Sequence, residues 1–277
     1  MTKRIYADNA ATTKVAPEVV DAMLPYFTET YGNPSSIYNE GRTARVAVEK
    51  AREQVANAIG ASPKEIYFTG SGSEADNWAL RSTARALSKN GNHIITSAVE
   101  HHAVLHTCQD LEKQGFEVTY LPVDKYGMVS PDDVKAAIKD TTIMISIMFA
   151  NNEIGTVQPI AELGALCREH SVLFHTDAVQ AAGHLAIDVQ ATNIDLLSLS
   201  GHKFHGPKGA GALYTWRGIA LQNVLYGGGQ ERGHRAGTEN VPAIAGLAAA
   251  LAQADANLPA NTARCLDLRQ RLTERLL

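Results

Sequence analysis

Apolar positions along this chain fall into two periods, one helical and one extended, and the two alternate. Val20, Met23, Leu24 and Phe27 recur at helical spacing behind Pro17, a residue suited to a first turn, and predict a helix that ends before Tyr31-Gly32-Asn33-Pro34. A longer helix is predicted over 40–59, where Ala44, Ala47, Val48, Ala51, Val55 and Ile59 share a face and Gly60 closes the end. Short apolar runs then take over. They predict strands over 65–69, 93–97, 116–121, 142–149, 172–176, 194–199 and 210–214. Between and after them, helices are predicted from Glu74 through Ala84 and over 103–114, 131–138, 160–169 and 241–254. A last helical pattern starts at Pro259 and is still running at Leu277. Strands alternating with helices predict an α/β fold, a three-layer sandwich with a mainly parallel sheet and helices on both faces. No internal repeat or low-complexity segment interrupts the pattern.

Composition narrows the chemistry. With 277 residues, 45% of them hydrophobic and 19% charged, the chain can bury a full core. The net charge of -4 and the scatter of Lys and Arg give no basic field for nucleic acid or an anionic membrane, so a small-molecule substrate is expected. Cys108, Cys167 and Cys265 form no CxxC spacing and leave one over, which argues for a reducing compartment and a cytoplasmic address. Met1-Thr2-Lys3-Arg4 is basic but no apolar segment follows it as in a signal peptide, and no run reaches the roughly 20 apolar residues of a membrane span.

Candidate chemistry collects where the predicted strands end, the edge at which open α/β sheets bind ligands. Lys203, in Ser200-Gly201-His202-Lys203, follows a buried-strand pattern among small residues. It suits an amine that condenses with a carbonyl cofactor, namely pyridoxal 5'-phosphate, provided burial and cationic neighbours such as His202 lower its pKa. Asp177 ends the run Val172-Leu173-Phe174-His175-Thr176 and is the candidate carboxylate for the pyridine nitrogen. Gly70-Ser71-Gly72-Ser73 turns from a strand into a helix, offering free backbone N–H groups to a phosphate. The same segment fits the dinucleotide pattern GxGxxA with Glu100 as its acid, but two helices precede it and the acid lies too far along. His101, at a strand-to-helix turn, can stack on a cofactor ring and shuttle protons. Asn151 or Asn152 could donate to a ring oxygen or a substrate carboxylate. His102 and His106 have metal-ligand spacing but lack a third ligand, so no metal is expected. The donor-rich loop Gly227-Gly228-Gly229-Gln230-Glu231-Arg232-Gly233-His234-Arg235-Ala236-Gly237-Thr238 is too polar to be core.

Taken in order, Tyr6-Ala7-Asp8-Asn9-Ala10-Ala11-Thr12-Thr13, Gly32-Asn33-Pro34-Ser35-Ser36, Gly72-Ser73-Glu74-Ala75-Asp76-Asn77, Glu100-His101-His102-Ala103-Val104-Leu105, Asn151-Asn152-Glu153-Ile154-Gly155, Asp177-Ala178-Val179-Gln180, Ser200-Gly201-His202-Lys203 and Arg235-Ala236-Gly237-Thr238 resemble the cysteine desulfurases of the NifS/IscS type. These are class V members of the fold-type I pyridoxal phosphate enzymes. The resemblance spans essentially the whole chain. It implies an extended arm over 1–15, a cofactor-binding large domain over 16–258, and over 259–277 the first helix of a small C-terminal domain that is mostly missing. It makes Lys203 the cofactor lysine, Asp177 the partner of the pyridine nitrogen, and Gln180 and Asn152 contacts on the ring-oxygen and substrate side. His101 would stack and act as acid and base. Gly72, Ser73, Ser200 and His202 would hold the phosphate, with Thr238 supplied by the second subunit of a homodimer. The implied reaction takes L-cysteine to alanine and passes sulfur, as a persulfide, to an iron-sulfur scaffold or another acceptor.

The chain also departs from the family pattern. The family's sulfur-accepting cysteine and its substrate-binding arginine fall beyond Leu277, and none of the three cysteines matches that position. Buried structural thiols are therefore expected, and the chain is expected to bind cofactor weakly or not at all and to lack persulfide-forming activity. Two other readings stay open: an aminotransferase or selenocysteine lyase using the same residues, and a non-catalytic scaffold.

Overall fold

The computed structural model describes residues 5–277, so residues 1–4 of the predicted arm lie outside the described part. The first predicted helix is split into α1 (Pro17–Met23) and α2 (Pro25–Thr28), because Pro25 has no N–H to continue the ladder. Its apolar face does not turn inward as the spacing suggested. Val19 is buried, while Val20, Leu24 and Phe27 are 41%, 54% and 58% exposed. The second helix, α3 (Asn39–Ala58), behaves as its pattern predicts: Ala44, Val48, Ala51 and Val55 are buried, and Gly60 beyond it takes the left-handed φ of 70° that glycine tolerates.

The remaining elements follow the alternation. They are β1 (Ile66–Thr69), α4 (Gly72–Leu87), β2 (His93–Ser97), α5 (His102–Lys113), β3 (Glu117–Leu121), α6 (Pro131–Ala137), β4 (Thr142–Ser146), α7 (Ile160–Glu169), β5 (Leu173–Asp177), β6 (Leu196–Ser200), β7 (Gly211–Thr215), α8 (Val241–Ala256) and α9 (Leu258–Leu276). The seven strands form one sheet in the order β1-β7-β6-β5-β4-β2-β3. Only β7 runs against its neighbours, pairing antiparallel with both β1 and β6; every other pair is parallel. The run predicted as a strand to Phe149 leaves the regular ladder at Ser146. Ile147 and Phe149 nevertheless donate to the His175 and Asp177 carbonyls at 3.2 and 2.8 Å, so it continues beside β5 to the sheet edge.

Strand residues alternate between two cores, as a period of two requires. Ile95, Ile145, Phe174 and Leu197 belong to one with residues of α3, α7 and α8. Ile94, Met144, Leu196 and Leu213 belong to the other with residues of α4 and α5. The N-terminal segment lies against the turn after β6: Thr13 and Ala16 donate backbone N–H bonds to the His202 and His205 carbonyls at 2.9 and 3.0 Å. The last helix, α9, buries none of its residues. Among the described residues no single helix is long and apolar enough to cross a membrane.

Candidate active site

A cavity of about 510 Å³ opens where β2, β4, β5 and β6 end. This is the size of a small-molecule pocket. Its wall includes Asp8, Ala10, Ala11, Gly72, Ser73, Asp76, His101, Asn152, Asp177, Gln180, Ser200, His202 and Lys203. The residues singled out on separate strand ends thus share one space, apart from Thr238. That residue is exposed on the glycine-rich loop and is absent from the cavity wall.

Lys203 ends a single 3-10 turn, Gly201–Lys203, directly after β6. Its Nζ donates to the Ala10 carbonyl, and to that of Ala11 at 3.1 Å, so the N-terminal segment holds the amine from above. Burial lowers its pKa, opposed by the charges of Asp177 and Asp8. This is the direction a nucleophilic amine requires. Asp177 closes β5 and is 6% exposed. Its Oδ1 accepts the Val179 N–H at 2.9 Å. Burial raises its pKa, while that hydrogen bond and the nearby His101 and Lys203 pull it down.

His101 is the N-cap of α5, its Nδ1 accepting the Ala103 N–H at 3.1 Å. The neutral ring therefore carries its proton on Nε2, the nitrogen left for the cavity. His202 is 3.1 Å from the Thr12 hydroxyl through Nδ1, and burial, then Lys203 and Lys208, push its pKa down. Gln180 Nε2 donates to the Ala10 carbonyl at 3.0 Å, and Asn152 Nδ2 to Glu153 at 2.9 Å. Asn151, the other asparagine considered, is spent on structure: it donates to the Val99 carbonyl and accepts from the N–H groups of Glu153 and Ile154.

At the other wall, α4 starts with Gly72 and Ser73, whose N–H groups have no acceptor within the helix by its geometry. Ser71 Oγ caps Glu74 N at 3.1 Å. Only glycine fits at 72: a Cβ there would lie 2.6 Å from Val179 Cγ2. Glu74 receives Arg235 at 2.7 and 3.0 Å and so ties the glycine-rich loop to this helix start. Glu100, the acid of the dinucleotide alternative, is 5% exposed. It accepts from the Ser97 hydroxyl and the Met148 N–H instead of facing a ribose. His102 and His106 stack 5.0 Å apart on an exposed face of α5, outside the cavity.

Three features escaped the sequence reading. Asp8, Ala10 and Ala11 were read as part of an arm rather than as the roof over Lys203. Asp76 was passed over, although a carboxylate on a helix face with Ala75 and Ala79 is a legible anomaly. The third concerns the thiols: Cys108 and Cys167 are buried as expected, with thiols pushed up to about 12, whereas Cys265 is exposed on α9. A structural role inside a core therefore fails for Cys265. Among the described residues no cysteine or arginine lines the cavity.

Residues 5–277 match the family described as aminotransferase class-V. The chain is similar to the cysteine desulfurase IscS of Methanosarcina thermophila, with 61% identity over 275 residues that make up 99% of this chain and 68% of that protein. It is also similar to the cysteine desulfurase IscS of Clostridium botulinum, 57% identical over 98% of this chain and 68% of that one. Among solved structures, a NifS-like protein superposes with a TM-score of 0.97 at 41% identity, covering 99% of this chain and 76% of its own. SspA in complex with cysteine gives 0.87 at 46% identity, over 90% of this chain and 72% of its own.

Proposed function

The chain belongs to the class V aminotransferase family, with the cysteine desulfurases of the IscS type, and from that premise we propose that its cavity holds pyridoxal 5'-phosphate and acts on L-cysteine. The family is pyridoxal phosphate dependent. The residues present fit that group: a partly buried amine, a buried carboxylate and a helix start rich in N–H donors converge on one cavity. When bound, the cofactor supplies an aldehyde that takes up an amine and a ring that withdraws electrons.

This chain's own residues do the rest. Lys203 offers an amine whose charge burial disfavours. Asp177 holds a proton at the pyridine nitrogen. His101 carries a proton on Nε2 to and from the reacting atoms. Gly72, Ser73, Ser200 and His202 receive the phosphate, and Gln180 and Asn152 bear on the ring oxygen and the substrate. In the overall change the substrate's C–S bond breaks, its carbon takes a proton to give alanine, and the sulfur joins an acceptor thiolate as a persulfide. An iron-sulfur scaffold or another sulfur acceptor is the proposed recipient.

No thiol of this chain lines the cavity, so the 277-residue chain alone forms no persulfide on itself in this reading. A homodimer completes the proposal, with Thr238 serving the other subunit's phosphate. The exposed Ile37, Tyr38 and Tyr226, at 90%, 60% and 77%, support a second copy as the cover.

The convergence of Lys203, Asp177 and His101 on one space carries this reading. The test is the visible absorption of the purified chain after incubation with pyridoxal phosphate. Wild type turns yellow and Lys203→Ala does not; equal spectra would sink the assignment. Added L-cysteine and a thiol acceptor should then yield alanine, and a keto acid in its place would identify an aminotransferase.

A further inference from the structure

Asp76 has no part in the chemistry above, yet it forms part of the cavity wall at its buried end. α4 carries it one turn beyond Gly72, and it is 1% exposed. Its Oδ1 has no hydrogen-bond partner. The nearest ring nitrogen, His175 Nε2, is 3.7 Å away, and that ring is already engaged by the Ser146 hydroxyl at 2.8 Å and the Ser198 hydroxyl at 3.1 Å. Burial keeps His175 neutral, its pKa pushed down to about 3, so no cation stands behind Asp76. In front of it, one ligand-capable atom each of Asp76, Asp177 and His101 lie within 4.8 Å of one another. Glu100 adds a third buried acid near both aspartates.

Two carboxylates this close and this buried do not ionise together, and their surroundings decide which keeps the proton. Asp177 has the Val179 N–H, His101 and Lys203 to favour its anion. Asp76 has only the Ser198 hydroxyl on its side, against burial and the charge of Asp177.

We propose that Asp76 is a positioning residue for the cofactor nitrogen, standing as the neutral acid beside Asp177 so that the pair's single negative charge rests on Asp177. It touches neither substrate nor ring and works through its neighbour. The inference rests on the reading that pyridoxal phosphate binds here with its nitrogen toward Asp177.

The test compares Asp76→Asn with wild type in the full 277-residue chain. Asparagine copies the shape and neutrality of the acid, so the Kd for pyridoxal phosphate near neutral pH, from absorbance titration, should stay within about twofold, while Asp177→Asn weakens it about tenfold or more. Infrared difference spectra of the cofactor-free chain, wild type minus Asp76→Asn, should show one protonated carboxylic acid band lost, while the band of protonated Glu100 stays in both. A tenfold loss of affinity in Asp76→Asn, or a wild-type spectrum that loses no acid band on the substitution, overturns the proposal. If Asp76→Asn does not fold, carbon-13-labelled aspartate in wild type gives the same reading, and absence of any protonated aspartate at neutral pH overturns it. Failure of every variant and wild type to take up cofactor would refute the functional reading and the positioning role that rests on it, while the infrared comparison, which needs no cofactor, separately decides whether Asp76 holds the proton.

Discussion

Arg52 and Glu231 bury a charge pair between α3 and the glycine-rich loop in which every side-chain nitrogen and oxygen has a partner, whereas Asp76 and Asp177 of the cavity wall, with Glu100 behind them, are buried with two oxygens unmatched. In the first region, Arg52 Nη1 donates to Glu231 Oε2 and to the Ile66 carbonyl, both at 2.8 Å, and Nη2 donates to Glu231 Oε1 at 2.9 Å. Nε donates to Glu49 at 3.2 Å, the Phe68 N–H reaches Glu231 Oε2 at 3.0 Å, and the guanidinium lies over the Phe68 ring. In the second, Asp76 Oδ1 and Glu100 Oε2 have no partner at all. A closed network of this kind fixes shape: it pins a loop whose backbone at Glu231 and Arg232 is held at φ of 44° and 58°, the left-handed region that costs non-glycine residues energy. Buried polar atoms left open cost stability too, and they mark a place kept for a ligand or a proton.

The largest expected effect breaks the closed network. Glu231→Ala takes the buried counter-ion from Arg52 and leaves its charge to the exposed Glu49, and should cost about 3–5 kcal/mol in equilibrium denaturation. That is a large part of the roughly 5–15 kcal/mol a domain of this kind possesses. Asp177→Asn, at the open site, should leave the cofactor-free chain at least as stable as wild type, because it removes a carboxylate that burial penalises. If both substitutions destabilise alike, the contrast between the two regions is wrong.

That contrast also separates what could be read in the sequence from what could not. His101, Asp177 and Lys203 were legible because each follows an apolar run, and parallel strands bring such ends to one edge. Asn152 came by the same route, as one of a pair with Asn151, whereas Gln180 came only from the family resemblance. Arg52 was hidden because its partner is 179 residues away, and no local spacing signals a pairing that only tertiary packing creates. The reversal of β7 is of the same kind: the connection that carries Lys203 is too short for a crossover, so β7 returns antiparallel beside β6. The roof over Lys203 is a third case, since Ala10 and Ala11 act through backbone carbonyls that any residue has. The break at Pro25 was printed in the chain, and the helical spacing around it was allowed to outweigh it.

A smaller effect probes how the cavity is built. Gly72→Ala would place a methyl group 2.6 Å from Val179 Cγ2 and 3.3 Å from Ser200 Cβ. Relief requires α4 to move off the strand ends, at a cost of about 1–3 kcal/mol for an overpacked site. Phosphate binding should suffer with it, read as a raised Kd for pyridoxal phosphate. Unchanged affinity would show that the helix start does not hold the anion.

The finest test concerns Glu100. Its Oε1 accepts the Ser97 hydroxyl at 2.7 Å and the Met148 N–H at 2.9 Å, which leaves Oε2 as the seat of a proton. Burial above all, with the charge of Asp177 adding to it, pushes the carboxyl up to about 8 against the two hydrogen bonds. An unfolded glutamate titrates near 4.3, so between about pH 4 and 8 the folded chain binds a proton that the unfolded chain has released. Stability from this group is therefore complete at low pH, falls as pH rises through that window, and levels off above it. Glu100→Gln puts an amide nitrogen where the protonated oxygen sits and removes the dependence. Asp76, Asp177, His101, Cys108 and Lys203 remain in both proteins, so their own titrations largely cancel in the difference. Urea midpoints measured at several pH values should show the mutant gaining on wild type from about pH 5 to 8 and holding level beyond. A difference that stays flat would mean that Glu100 ionises like an exposed side chain, and the open floor would then keep no proton at that position.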